Sequence, residues 1–87
     1  MLDLQNQQQI LLSKLAYYRK VINQRSEEYR QLKSKIAIPR IKRALTKISD
    51  GTYGICEACD ERIPDTRLRA VPAALLCIDC QVKFETE

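Results

Sequence analysis

The sequence has no histidine, two glycines and three prolines in 87 residues, and only five aromatic side chains. Since histidine is the commonest general base, its absence removes the usual candidate for acid–base catalysis, and no nucleophile with a neighbouring base stands out. No run approaches the roughly eighteen consecutive apolar residues that span a bilayer, so we expect no membrane protein. The first residues show no basic stretch ahead of an apolar run, which predicts a cytoplasmic protein without a secretory signal.

Charge is unevenly distributed along the chain. Residues 1–47 hold eleven Lys and Arg against three acids, whereas residues 48–87 hold four against eight. The net charge of +4 therefore hides a basic half and an acidic half. A basic surface attracts an acidic partner. The aromatic residues are too scattered to form the stacking platform of a single-strand binder, and this disfavours DNA as the partner.

Residues 1–50 are predicted to be helical. Pro39 is the single glycine or proline among them, and the frequent Leu, Ile, Gln, Lys and Arg suit helices. Apolar residues recur at steps of three and four in a heptad seam that Gln8 and Arg25 interrupt. The seam consists of Leu4, Leu11, Leu15, Tyr18, Ile22, Tyr29, Leu32 and Ile36. Such a seam requires a partner helix.

Two architectures satisfy this seam. The chain can reverse within residues 23–28, with Ser26 capping a second helix, so that the two arms form an antiparallel hairpin. Alternatively, one helix runs from about residue 3 to residue 36, and Pro39 opens a separate, shorter helix that extends to residue 50. The lack of a turn glycine favours this straight form. That helix would be about 50 Å long and would leave its seam in water unless it dimerised, so we favour the hairpin. In both cases Pro39 marks a kink or a break.

Four cysteines form two pairs with the spacing of a zinc site. Cys56 and Cys59 make one C-x₂-C knuckle, Cys77 and Cys80 make the other, and seventeen residues separate them. Four thiolates fill a tetrahedral shell and leave no open position for a substrate, so we predict one structural Zn²⁺ and no enzyme. A disulfide or a thioredoxin-like pair does not suit a reducing compartment and so short a chain. An iron–sulfur cluster is the remaining alternative.

These features predict a mostly α protein of two parts. Residues 1–50 form a helical projection, a hairpin or a long helix, and residues 51–87 form a small C4 zinc-finger module. Asp50 and Gly51 end the projection, because glycine is the usual residue just past the end of a helix. Residues 78–84 are predicted to form a short C-terminal helix.

The segment from Ala44 to Gln81 resembles the DksA/TraR family of C4 zinc-finger transcription factors. It covers a little under half of the chain. After the second cysteine of such fingers glycine is usual, and Asp60 takes that place here, since Asp tolerates a positive φ better than most residues. The motifs that carry the resemblance are Gly51-Thr52-Tyr53-Gly54-Ile55-Cys56-x-x-Cys59, Ile63-Pro64, Arg67-Leu68-x-Ala70-x-Pro72 and Leu76-Cys77-x-x-Cys80-Gln81.

The resemblance implies a protein that binds bacterial RNA polymerase directly, without DNA. Its helical projection would enter the enzyme's secondary channel, with the finger at the rim and the alarmone ppGpp as a co-effector. Relatives similar to DksA carry Asp-x-x-Asp-x-Ala at the end of the projection, and this sequence has no such string. The predicted partner contacts at the tip are therefore Arg25, Glu27, Glu28 and Arg30. The alternatives are a nucleic-acid-binding module and a dimeric coiled-coil adaptor.

Overall fold

The fold consists of five α-helices and the turns that join them, in a computed structural model that describes residues 2–24 and 26–86. A 3₁₀ turn, Ile22–Gln24, follows the first helix, and a π-helical segment, Lys33–Ala37, precedes the third. The helical architecture confirms the predicted fold class, a mostly α protein. In the described part of the chain, no helix is both long enough and apolar enough to cross a membrane. The helices are α1 (Leu4–Val21), α2 (Glu27–Leu32), α3 (Ile38–Asp50), α4 (Asp65–Ala70) and α5 (Ile78–Thr86).

Helices α1 and α3 pack against each other, so the N-terminal half is a hairpin and not one long helix. Leu11 and Leu15 of α1 and Ile41 and Ala44 of α3 form the buried cluster between the arms. Full burial of a leucine or isoleucine side chain stabilises a fold by about 1.5–3 kcal/mol. The second arm thus supplies, within the chain, the partner that the seam requires.

Side-chain caps start both arms of the hairpin. The Asp3 carboxylate accepts hydrogen bonds from the backbone N–H groups of Gln5 at 3.0 Å and Asn6 at 3.3 Å. The Ser26 hydroxyl accepts one from the N–H of Tyr29 at 3.3 Å, as the sequence predicts. These bonds satisfy donors that have no partner within the first turn of a helix. The chain therefore reverses between Val21 and Glu27.

The predicted seam is wrong at Leu4, which is 47% exposed, and in the second arm. Leu32 is 53% exposed and Ile36 is 45% exposed, and neither belongs to the buried cluster. The N–H of Ile38 bonds to the carbonyl of Lys33, five residues back, which is a π turn. A π turn holds one residue more than an α turn, so it rotates the side chains on one side of it relative to those on the other. Ile41 and Ala44 consequently face α1 instead.

Tyr53 lies where the hairpin meets the cysteine-rich part of the chain. It packs against the hairpin cluster and against a second buried cluster, which consists of Cys56, Ile63, Leu68, Ala74 and Cys80. Helix α3 ends at Asp50, and Gly51 follows it with a φ of 79°, as predicted. The two buried clusters share the side chain of Tyr53, so they pack together at this point. The division into two domains after residue 50 stays a prediction.

Candidate metal centre

A tight loop presents the first cysteine pair. The N–H of Cys56 donates to the carbonyl of Glu61 at 2.8 Å, and the N–H of Asp60 donates to the carbonyl of Cys56 at 2.9 Å. Gly54 has a φ of 87°, and Asp60 has a φ of 62°. Asp60 is the single non-glycine residue with a positive φ among those that the structure describes, and this confirms the expectation from its place after Cys59.

Two hydrogen bonds to backbone carbonyls position the second cysteine pair. The N–H of Glu57, inside the first knuckle, donates to the carbonyl of Leu75 at 2.9 Å. The Arg67 guanidinium donates through Nε to the carbonyl of Leu76 at 3.1 Å. Cys77 then precedes α5 and Cys80 lies in its first turn. The second knuckle therefore stands against the first.

The four predicted ligands come together. All four sulfurs lie within 4.8 Å of one another, and the Sγ atoms of Cys59 and Cys77 are 3.8 Å apart. A tetrahedral zinc ion with Zn–S bonds of about 2.3 Å places its sulfurs about 3.8 Å apart. Cys56 and Cys80 are buried whereas Cys59 is exposed, so the site lies at the surface with its inner half in the apolar cluster. The donor set and its spacing fit zinc.

The pKa values of Cys56 and Cys80 depart from the ordinary cysteine value in opposite directions. Burial opposes ionisation of Cys56, but backbone N–H groups, that of Ala58 at 3.4 Å among them, lower its pKa to about 6. Hydrogen bonding with the sulfurs of Cys77 and Cys56 raises the pKa of Cys80 to about 12. Four thiolates so close together repel one another, and a divalent cation removes that cost. The cluster therefore gains much of its stability from the metal.

Sequence reasoning missed Gln7, which joins the hairpin to the finger. Its side chain is 2% exposed, and its Nε2 donates to the Tyr53 hydroxyl at 3.0 Å and to the carbonyl of Leu68 at 3.0 Å. The Tyr53 hydroxyl in turn donates to the carbonyl of Pro72 at 2.8 Å. In the heptad pattern the interruption of the seam falls on Gln8, so the pattern gives no signal for Gln7.

A second link between hairpin and finger is ionic. Arg43 of α3 donates through Nε to both carboxylate oxygens of Glu57, at 2.9 and 2.6 Å, and the Nζ of Lys47 lies 3.8 Å from the same carboxylate. The hydrogen bond from Arg43 holds the pKa of Glu57 below its usual value. Because Glu57 lies between two zinc ligands, the metal-binding loop is tied directly to α3.

The predicted partner contacts lie at the turn of the hairpin. Glu27 pairs with Arg30 at 3.5 Å and accepts a hydrogen bond from Gln31 at 3.4 Å, and it remains largely exposed. Glu28 is exposed too, and Arg25 lies outside the described residues. The functional role of this tip stays a prediction.

Known sequences match part of the chain. The sequence model of the prokaryotic dksA/traR C4-type zinc finger matches residues 51–85. The RNA polymerase-binding transcription factor DksA of Escherichia coli strain K12 is 44% identical over 48 residues, which are 55% of this chain and 32% of that protein. General stress protein 16O of Bacillus subtilis strain 168 is 42% identical over 50 residues, 58% of this chain and 31% of that protein. The chain thus spans about a third of the length of these curated relatives.

A solved structure matches the hairpin as well as the finger. It is that of the RNA polymerase binding protein and transcriptional regulator Dks from Chlamydia trachomatis L2, with a TM-score of 0.73 and 33% sequence identity. The match covers 99% of this chain and 93% of that one. With its four cysteines gathered into one structural zinc site, this chain belongs to the DksA/TraR family of C4-type zinc-finger proteins.

Proposed function

We propose that this chain is a transcription regulator that binds bacterial RNA polymerase directly, at the secondary channel, and not through DNA. The observation that supports this most is the likeness along 99% of the chain to the chlamydial regulator, which is described as binding RNA polymerase. That likeness includes the hairpin, whereas the family model matches residues 51–85. A regulator of this kind needs both a helical projection and a finger that holds the projection in place.

The zinc ion has a structural role in this proposal. When bound, it joins the two knuckles through four thiolates, which fill its coordination shell and leave no position for a substrate. The chain supplies no histidine to act as a base. We therefore propose a regulator without catalytic activity, in which the metal maintains the shape of the finger.

The contacts between finger and hairpin would set the direction of the projection. Gln7 bonds to Tyr53 and to the carbonyl of Leu68, and Arg43 bonds to Glu57, so both arms are attached to the finger. A basic projection held at a fixed angle is suited to entering an acidic channel. In this arrangement the finger stays at the rim while the turn between Val21 and Glu27 enters first.

The tip would act on the catalytic region of the polymerase. Glu27 and Glu28 are the acidic groups available there, and Arg25 and Arg30 flank them in the sequence. If these acids act, a Glu27→Ala and Glu28→Ala double variant binds polymerase normally and no longer alters transcription. Unchanged regulation by the double variant would remove the tip from the mechanism. The same transcription assay, run with and without ppGpp, tests that co-effector.

One experiment separates this function from its two alternatives. The zinc-loaded chain is incubated with purified bacterial RNA polymerase and, separately, with duplex DNA, each at two salt concentrations. We expect the chain to bind to polymerase and not to DNA. Because phosphate contacts release counterions, DNA retention that falls steeply with salt would indicate a nucleic-acid-binding module. A dimer by light scattering without polymerase binding would indicate a coiled-coil adaptor.

A further inference from the structure

Residues 16–37, the half of the hairpin nearest its turn, bury none of the side chains that the structure describes. The other half contains the hairpin cluster, in which Leu11 and Ile41 are buried. Helix α1 packs closely against α3 but hardly against α2. Apolar burial therefore does not fix the position of α2, and a different contact is needed to hold the tip against the first arm.

The ammonium group of Lys33 lies over the aromatic rings of two tyrosines, one from each arm. Its Nζ is 5.4 Å from the ring centroid of Tyr18 in α1 and 5.6 Å from that of Tyr29 in α2. Both distances fall within the range of about 6 Å in which the face of a ring attracts a cation. We call these three residues the tyrosine–lysine clamp.

The clamp connects α2 to the packed half of the hairpin. Tyr18 packs against the hairpin cluster, and its ring makes an edge-to-face contact with that of Tyr17, with the centroids 5.7 Å apart. The backbone N–H of Lys33 donates to the carbonyl of Tyr29. Side chain and backbone thus both join Lys33 to α2, which begins at Glu27. A continuous series of contacts leads from the hairpin cluster to the acidic end of the tip.

The π turn explains why a lysine occupies this position. The heptad pattern directs Leu32 toward α1, but Leu32 is exposed and the next residue, Lys33, reaches the ring of Tyr18 instead. Within residues 2–24 and 26–86, no carboxylate forms an ion pair with Lys33. The two rings are therefore the partners that the fold supplies for its charge. Such turns are rare, and they occur frequently at functional sites.

We propose that Lys33 is a positioning residue of the tip, which its cation holds against α1 by contact with the rings of Tyr18 and Tyr29. When the clamp opens, α2 separates from α1 while the hairpin cluster stays packed. The clamp belongs to the free chain and needs no partner. Its consequence for regulation rests on the proposed function, since a loose tip would present Glu27 and Glu28 in many orientations.

Proton NMR of the zinc-loaded chain tests the position of the ammonium group. Protons over the face of an aromatic ring are shielded, so the ε-methylene protons of Lys33 should resonate upfield of those of Lys35, an exposed residue of the same segment. Tyr18→Leu and Tyr29→Leu should each reduce this difference. Equal shifts for the two lysines in the wild type would overturn the proposal, because the ammonium would then lie in water.

Amide exchange tests whether the clamp holds the tip. The N–H of Arg30 donates to the carbonyl of Ser26 at 3.0 Å, so its exchange reports the opening of α2. Lys33→Gln removes the cation and keeps a similar helix propensity. From the strength of cation–π contacts at exposed sites, we expect exchange at Arg30 to become roughly two- to fivefold faster. Exchange at Leu15, in the hairpin cluster, should stay unchanged.

Two further variants separate the charge from other properties of the side chain. Lys33→Arg keeps a cation and should bring exchange at Arg30 back toward the wild-type rate. Lys35→Gln is the matched control and should leave that rate unchanged. Equal exchange at Arg30 in Lys33→Gln and Lys35→Gln would overturn the proposal, as would an Arg variant no slower than the Gln variant. Equal acceleration at Arg30 and Leu15 would also overturn it, because Lys33 would then stabilise the whole hairpin.

These measurements use the free, zinc-loaded chain. A chain that shows the clamp but does not bind RNA polymerase would remove the proposed function and leave the clamp in place. A chain that binds polymerase but shows no clamp would do the reverse.

Discussion

The side-chain amide of Gln7 lies 3.0 Å from the hydroxyl of Tyr53, and this hydrogen bond joins the first turn of α1 to the base of the zinc finger. The amide is buried and the phenol is partly buried, so the hydrogen bond between them helps to satisfy the polar atoms of both. The amide also bonds to the carbonyl of Leu68 beside the finger's apolar cluster. The orientation of the hairpin is therefore coupled to the folded state of the finger.

Loss of the Gln7 amide should destabilise the protein markedly. Gln7→Leu keeps a similar volume but leaves the carbonyl of Leu68 without its donor, at a cost of about 1–3 kcal/mol for a buried unsatisfied group. Gln9→Leu, at an exposed position of the same helix, is the control and should change stability little. Denaturant unfolding of the zinc-loaded proteins measures both. Equal stabilities of the two variants would contradict the role given to Gln7.

Ionisation of Tyr53 should destabilise the fold at alkaline pH. Burial raises the pKa of Tyr53, so the folded state favours the neutral phenol. Its contribution is fully present below the ordinary tyrosine pKa of about 10 and is lost as the pH rises through the higher folded pKa. The stability of the wild type relative to Tyr53→Phe should therefore decline above about pH 10. A difference that does not vary with pH would contradict this account.

The two glycines should differ in their tolerance of alanine. Both have a positive φ, 79° at Gly51 and 87° at Gly54, and a left-handed conformation costs an L-residue roughly 1–2 kcal/mol. A Cβ at Gly54 would also lie 3.3 Å from Cδ1 of Leu68, whereas one at Gly51 would meet nothing within 4 Å. Gly54→Ala should therefore be the more destabilising in denaturant unfolding. A larger loss for Gly51→Ala would be inconsistent with this packing.

The sequence predicted the metal site better than it predicted the packing of the hairpin. Spacing alone identified Cys56, Cys59, Cys77 and Cys80, because a two-residue gap is what lets both sulfurs of a knuckle reach one ion. The positive φ of Asp60 likewise followed from its place directly after the second cysteine. These features depend on neighbours in the chain.

Features that depend on distant contacts escaped the sequence. The π turn before Pro39 has no signature in the heptad pattern, so residues 32 and 36 were assigned to the seam although Ile41 and Ala44 occupy it. Gln7 is buried because Tyr53 and Leu68, far along the chain, supply its hydrogen-bond partners. Periodicity records which residues are apolar, and it cannot show which polar residue finds a partner after folding.

Removal of zinc should unfold the finger and leave much of the helix. One zinc per chain is expected by elemental analysis. Cys77→Ser should behave like treatment with a chelator, since three thiolates leave the coordination shell open. Amide exchange should then be fast over residues 52–84 and slower at Leu11 and Leu15, which are buried among hairpin residues. A fold that stays intact with a zinc content near zero would contradict the structural role of the metal.

The proposed function requires that the finger hold the hairpin so that its tip enters the secondary channel of RNA polymerase. Site-specific photocrosslinking tests this most directly, with the probe at Gln24 near the tip or at Arg69 in the finger; both positions are exposed. In complexes with purified polymerase, we predict that the probe at Gln24 crosslinks to segments lining the channel interior and that the probe at Arg69 crosslinks to its rim. Crosslinks from Gln24 to the outer surface of the enzyme alone, or to DNA, would contradict the account.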